Sequence, residues 1–188
     1  MTDSAATPGK AERTRAHIFR VALELFEHHG YEEVTVARIA EAAGVSEMTV
    51  YRHYPSKDAL LLDDPFDPLI VAAIAARPRQ DPPLRRAIDG VRAAWRELPL
   101  EHAEEVRRRL RLAVAPSLRA AIDRNTAATE AAVAARLEAD GADPAAARVA
   151  AAATLAALMA GLLHWAEGDD GALGEAVLAA LDVLEGAA

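Results

Sequence analysis

Between Tyr31 and Pro55 the chain is cut into two short pieces by residues that start and stop helices. Thr35 is a good N-cap, and Val36, Ile39, Ala40 and Ala43 behind it recur at helical spacing. Gly44 ends that run. Ser46 caps a second run that reaches about Tyr54, and Pro55 closes it, because the residue before a proline avoids helical angles. Upstream, Ile18, Val21, Ala22, Leu25 and Phe26 mark a longer helix from Lys10 that stops at Gly30. Downstream, Ser56 caps a fourth helix through Leu60, Leu61 and Leu62. Two helices joined by about three residues around Gly44, with Val45 to fill the angle between them, fit a helix-turn-helix, whose second helix lies in the DNA major groove. Many helix pairs turn on a glycine, so this spacing by itself also admits a module for protein contact.

The rest of the chain reads as helix without strands. Alanine and leucine dominate, β-branched runs are nearly absent, and apolar residues make up 52% of the sequence, enough for a packed core. The expected fold class is all-α, in three parts. Residues 1–9 are a disordered arm, 10–62 a small helical domain, and 63–188 a larger one. Asp63 to Pro68 interrupts the pattern. Helices are then expected from Pro68 to about Arg77, from Pro83 to Leu98, from Glu101 to Val114, and from Pro116 to Ala139. Asp143-Pro144 is a cap followed by a first-turn proline, opening a helix to Glu167, and a last helix spans Ala172 to Glu185.

Several classes fall away. There is no cysteine, so disulfides and thiolate metal sites are excluded. The first fifteen residues have no apolar core and are not a signal peptide. The apolar stretch from Val149 to Trp165 is shorter than the ~20 residues of a spanning helix. No membrane partner and a cytoplasmic location are therefore expected. No nucleophile elbow, phosphate loop or zinc-binding His-Glu pair is present, and the six histidines are scattered. We expect no catalytic residues, cofactor or metal. The net charge of −8 does not advertise nucleic acid, and residues 1–62 hold seven Lys/Arg against nine Asp/Glu. Any DNA contact must rest on a local basic surface.

The wording of the N-terminal segment is more specific than its spacing. TVARIAEAAGVSEMTVYRHYPSKDALL (residues 35–61), preceded by AHIFRVALELFEHHGYEEVTV, resembles the signature of the TetR family of one-component regulators. Helix lengths, caps, the paired tyrosines and the following lysine agree over residues 11–62. The resemblance implies a dimer on double-stranded DNA, with roles for particular residues. Thr35 would touch a phosphate through its hydroxyl or nearby N–H groups. Ser46, Glu47, Met48 and Thr49 would face base edges. Arg52 would reach a guanine or a phosphate. Tyr51, His53 and Lys57 would hold the backbone, with Lys10, Arg13 and Arg15 near neighbouring phosphates. Met48 and Glu47 depart from the usual pattern; they suit a thymine methyl and a cytosine N4. Against this, Tyr51 and Tyr54 also suit a core, and the helix 1 cations suit a solvated face.

For residues 63–188 the resemblance implies a small-molecule pocket and a homodimer through the last two helices. The residues support the second point on their own. The helix from Pro144 is apolar nearly all round and rich in alanine, so it needs cover on every side, from a partner chain or from its own. Candidate pocket residues are Phe66, Leu69, Trp95, Leu98, Leu112, Met159, Leu162 and Trp165, each of which also suits plain core. Ile122, Asn125, Thr126, Thr129 and Val133 share one helix face, a mixed stripe that fits either a pocket wall or a solvated side. RRRLRLAVAPSLRAAI (107–122) and LLHWAEG (162–168) are similar to a TetR subgroup with an acyl-CoA-like ligand-binding domain that includes mycofactocin regulators. That similarity implies an apolar or acyl-thioester ligand. The cluster Arg107, Arg108, Arg109 and Arg111 would then meet phosphates, or else pair with Glu104 and Glu105 on a solvated face. A repressor released by its ligand is expected, with the helix after Ser56 as the lever and residues 63–68 as the hinge.

Overall fold

The computed structural model describes residues 9–62, 67–96, 103–168 and 172–186. The chain is all-α, and the described residues contain no strand. They divide into two compact units, one ending at Asp63 and one beginning at Asp64.

The first unit holds α1 (Lys10–His29), α2 (Val36–Ala42), α3 (Glu47–His53) and α4 (Ala59–Leu62). Its core is built by the apolar face of α1, where Ile18, Ala22, Leu23 and Phe26 are buried. Val34, Ile39, Val50 and Leu60 close over that face from the three shorter helices and the loop before them. Burial of a side chain such as Phe26 is worth roughly 1.5–3 kcal/mol. The start signals act as caps. Thr35 Oγ1 accepts from the Arg38 N–H at 3.2 Å, and Ser46 Oγ accepts from the Thr49 N–H at 3.2 Å. Ser56 Oγ accepts from the Ala59 N–H at 3.1 Å. Gly44 sits at φ +66°, which lets the chain reverse direction between α2 and α3 without a side chain meeting the backbone.

The second unit holds α5 (Asp67–Ala75), α6 (Pro83–Arg96), α7 (Ala103–Ala113), α8 (Arg119–Ala139), α9 (Pro144–Glu167) and α10 (Leu173–Glu185). A 3-10 turn at Pro116–Leu118 leads into α8, so Pro116 opens a tight turn and not the α-helix expected there. α9 is the axis of this unit and packs against α6, α7, α8 and α10. Asp143 caps it by accepting from the Ala145 and Ala146 N–H groups, both at 3.0 Å. Its 24 residues are long and apolar enough, by length and composition, to cross a membrane, longer than the stretch read from sequence. Packing explains that composition: Ala147, Ala150, Ala151, Leu155, Leu158, Leu162 and Trp165 belong to the hydrophobic core of the unit. Gly161 permits α10 to come close, since a Cβ there would lie 2.5 Å from the Ala180 Cβ.

Charged side chains tie this unit together. Arg86 is 2% exposed and donates to Asp140 at 2.5 Å and to the Ile74 carbonyl at 3.4 Å. Arg136 and Arg79 also reach the Asp140 carboxylate. Hydrogen bonding from Arg86 first, and the nearby positive charges of Arg136 and Arg79, hold the Asp140 carboxyl below the ordinary range, against the upward push of burial.

Candidate functional site

In the first unit α3 is divided cleanly between structure and surface. Val50 faces inward and is 1% exposed. Met48 is 76% exposed and Tyr51 48%, and they are the large apolar side chains that this unit leaves in solvent among its described residues. Glu47 and Arg52 stand exposed beside them. A seven-residue helix thus presents an acid, a thioether, a phenol and a guanidinium together, a mixture able to accept and donate hydrogen bonds and to touch methyl groups.

The other anticipated DNA residues take more varied positions. Ser46 is the cap of α3, and its hydroxyl also lies 2.9 Å from the Thr49 hydroxyl. Thr35 is exposed and spends one lone pair on capping α2. His53 is half-buried, and its carbonyl accepts from Arg15 at 2.6 Å. Tyr54 is buried and structural: its hydroxyl donates to the Arg15 carbonyl at 3.1 Å, and the Arg15 guanidinium lies 4.3 Å from its ring centre. Arg15 is therefore committed to α3 and not held out in solvent. Lys57 folds back, with its ammonium 4.1 Å from the centre of the Tyr31 ring and donating to the Glu32 carbonyl at 3.3 Å. Tyr31 in turn donates to Asp58, and burial together with that carboxylate pushes the Tyr31 hydroxyl well above its usual range. The sequence signal missed here is Tyr31, which anchors both Lys57 and Asp58. Two further contacts fix the ends of this unit: His17 Nε2 meets the Ala43 carbonyl at 3.2 Å, and Arg38 meets His29 Nε2 at 2.8 Å.

In the second unit the anticipated pocket residues scatter in burial. Thr129, Leu162 and Trp165 are buried. Trp95, Leu112, Ile122, Asn125, Thr126 and Met159 are half-buried, and Leu69 is 47% exposed. Phe66 and Leu98 lie outside the described residues, as do residues 63–66 of the expected hinge. The mixed stripe of α8 does turn inward at one end. Thr129 donates to the Asp67 carboxylate of α5 at 2.7 Å, a partner that sequence reasoning overlooked. Thr154 on α9 is 1% exposed, and its hydroxyl has no partner among the described residues. Counted from the ends of the α8–α9 turn at Asp140 and Asp143, Thr129 and Thr154 lie equally far along their antiparallel helices.

The arginine cluster of α7 does not stand free. Arg107 donates to the Gly168 carbonyl at 2.7 Å and stacks 4.2 Å from the Trp165 ring centre. Arg111 donates to the Ala166 carbonyl at 2.8 Å. Both satisfy carbonyls at the C-terminal end of α9, where positive charge is favoured.

Comparison with known proteins agrees with this geometry. Residues 18–63 match the model of bacterial regulatory proteins of the tetR family, and residues 81–188 match that of the MftR C-terminal domain. TcmR of Streptomyces glaucescens, an HTH-type transcriptional regulator, is 41% identical over 86 residues, covering 45% of this chain and 38% of TcmR. MftR of Mycobacterium tuberculosis, whose name ties it to mycofactocin biosynthesis, is 49% identical over 47 residues, covering 25% of this chain and 24% of MftR. The chain thus spans well under half the length of these curated relatives. Among solved structures, Thermus thermophilus FadR in complex with lauroyl-CoA shares the fold, with a TM-score of 0.50 and 24% identity over 91% of this chain and 93% of that one. With the C-terminal match alone covering more than half of its residues, the chain belongs to the TetR family of bacterial regulatory proteins.

Proposed function

We propose that this protein is a cytoplasmic, DNA-binding transcriptional repressor that acts as a homodimer and leaves a palindromic operator when a small ligand binds its C-terminal unit. Residues 10–62 form the DNA-binding part and 63–188 the sensing and dimerisation part. The observation that carries the reading is α3, capped by Ser46, pinned by Val50, and presenting Glu47, Met48, Tyr51 and Arg52 to solvent. Arg52 and Tyr51 are assigned to phosphate or base contact, with Thr49 and Ser46 beside them at the helix start. Thr35 and His53 flank the same surface. Lys57 reaches the backbone with the ammonium hydrogens that the Glu32 carbonyl leaves over.

The dimer assignment rests on an uncovered stripe. Val149 is 68% exposed, and Ala156, Ala160 and His164 follow it at helical spacing along α9. Val183, 67% exposed, and Ala179 extend the apolar surface onto α10. A helix of this composition calls for cover, and a second copy related by a twofold axis supplies it. Such a dimer would present two copies of α3 about 34–36 Å apart, one turn of duplex. An apolar ligand with a few hydrogen-bonding groups suits the α8–α9 interior, where Thr129, Asp67 and Thr154 stand among leucines. The lauroyl-CoA bound by the FadR of like fold supports an acyl-thioester class. The ligand must bind the state that releases DNA more tightly than the state that holds it.

A gel-shift assay with the DNA flanking the protein's own gene tests this. Retention that weakens steeply with salt is expected, because neutralised phosphates release counterions. Retention indifferent to sequence and salt, or a chain that is monomeric in solution, would overturn the reading.

A further inference from the structure

A cleft of about 350 Å³ opens on the second unit between α6 and α10, lined by none of the residues assigned above. On α6 its wall is Asp89, Arg92, Ala93 and Arg96, which share one helix face by their spacing of three, four and seven. Leu178 and Asp182 of α10 form the opposite wall, and Arg77, just past α5, closes one end. Three guanidiniums and two carboxylates therefore look into one space.

The pairing within that space is uneven. Arg92 donates to Asp182, lies 2.9 Å from Glu185 and 3.6 Å from Asp89, and is 15% exposed. Asp89 is further engaged by Arg85 at 3.5 Å. Both carboxylates of the wall are thus neutralised by arginines. Arg77 and Arg96 differ. Arg77 spends its Nε on the Ala73 carbonyl at 3.3 Å, and among the described residues neither it nor Arg96 pairs with a carboxylate. The unspent charge of the cleft is positive, and it belongs to two planar, always-ionised groups suited to bidentate contact with oxyanions.

We propose that this cleft is a binding site for a small organic anion, held through its carboxylate or phosphoryl oxygens by Arg77 and Arg96, with Ala93 and Leu178 against its carbon skeleton. The volume falls within the range of small-molecule sites, roughly 300–1,000 Å³. On α10 the cleft is lined by Leu178 and Asp182, whereas the dimer assignment uses the neighbouring Ala179 and Val183. The site does not rest on the DNA-binding reading and stands or falls without it.

Isothermal titration of the full chain with inorganic pyrophosphate, at an ionic strength fixed with sodium chloride, tests the proposal; succinate forms a second arm. Saturable binding of one anion per chain is expected for at least one of the two, and the preferred arm tells phosphoryl from carboxylate recognition. The double variant R77A/R96A should weaken that binding at least tenfold. R148A, which removes an exposed arginine of α9 outside the cleft, should leave it unchanged. Should the double variant fold poorly, R96A alone carries the test, because Arg96 is exposed at the end of α6. No saturable heat with either anion, or equal affinity in wild type and the cleft variants, overturns the site.

Discussion

The α2–Gly44–α3 pair and the α8–α9–α10 assembly differ in how far they lean on local caps and on distant tethers. The first is made of two seven-residue helices whose starts are set by caps three residues away, Thr35 on the Arg38 amide and Ser46 on the Thr49 amide, with Gly44 in the turn, while His17 and Arg15 of α1 meet carbonyls at their ends. The second is made of long helices whose positions depend on side chains distant in sequence. Arg86 meets Asp140, Arg92 meets Asp182, and Arg107 and Arg111 meet the end of α9. Local signals place the exposed face of α3 with few residues. Distant tethers hold the larger core of the second unit together.

The sharpest way to break this contrast is to cut the core of the second unit. Leu137 of α8 is fully buried in the core that it shares with residues of the central α9. Leu137→Ala should cost about 2–5 kcal/mol, from lost transfer energy and the cavity left behind. Both tryptophans, Trp95 and Trp165, lie in this unit, so their fluorescence during urea unfolding reads it selectively. A loss below about 1 kcal/mol would show that the α8–α9 contact is not the core of the unit. The matching cut in the first unit is functional. Arg52 is exposed, so Arg52→Ala should leave helicity and melting unchanged while weakening operator binding by about 10- to 100-fold, the worth of one good base or phosphate contact. Unaltered affinity in a folded variant would remove Arg52 from the interface.

The same contrast explains what could be read without coordinates. The boundaries of α2, α3 and α9 were legible because caps and prolines act on their immediate neighbours, as Asp143-Pro144 does for α9. The exposure of Met48 agrees with its place among the outward residues that the family resemblance implied. Three things were not legible. Lys57 was expected to hold the DNA backbone, yet it folds onto Tyr31, a residue 26 positions earlier that spacing does not link to it. The α7 arginines read as a solvated face or a phosphate site, and nothing in the sequence signals that two of them also meet carbonyls at the end of α9, some 55 to 61 positions away. Arg86 sits on an apolar helix face as a buried cation, and nothing in its neighbourhood in sequence names Asp140 as its partner. Periodicity reports which face is buried and is silent on which charge that face will meet.

A smaller perturbation tests whether local caps matter more in the first unit than tethers do. Ser46→Ala removes the acceptor for the Thr49 N–H and should cost about 1 kcal/mol. Amide hydrogen exchange at Thr49 and Val50 should quicken, while α9, capped separately by Asp143, should keep its protection. Equal slowing or quickening in both units would mean that the ends of α3 are held by something other than its cap.

Acid gives the mildest test, since it weakens one tether without removing a side chain. The Asp140 carboxyl is held below its ordinary range chiefly by the hydrogen bond from Arg86. A carboxyl depressed in the folded state binds its proton more readily once the chain unfolds. It therefore stabilises the fold fully above the unfolded value, near pH 4, and that contribution fades as pH falls through the folded value. The tryptophan-monitored stability of the second unit should drop below about pH 4 in the wild type. In Asp140→Asn there is no proton to take up at this position, so the unit should start lower at neutral pH and lose less on acidification. The two curves should approach each other as the pH falls. Parallel curves would show that the Arg86–Asp140 contact contributes nothing that depends on charge, and that the burial of Arg86 is a matter of packing alone.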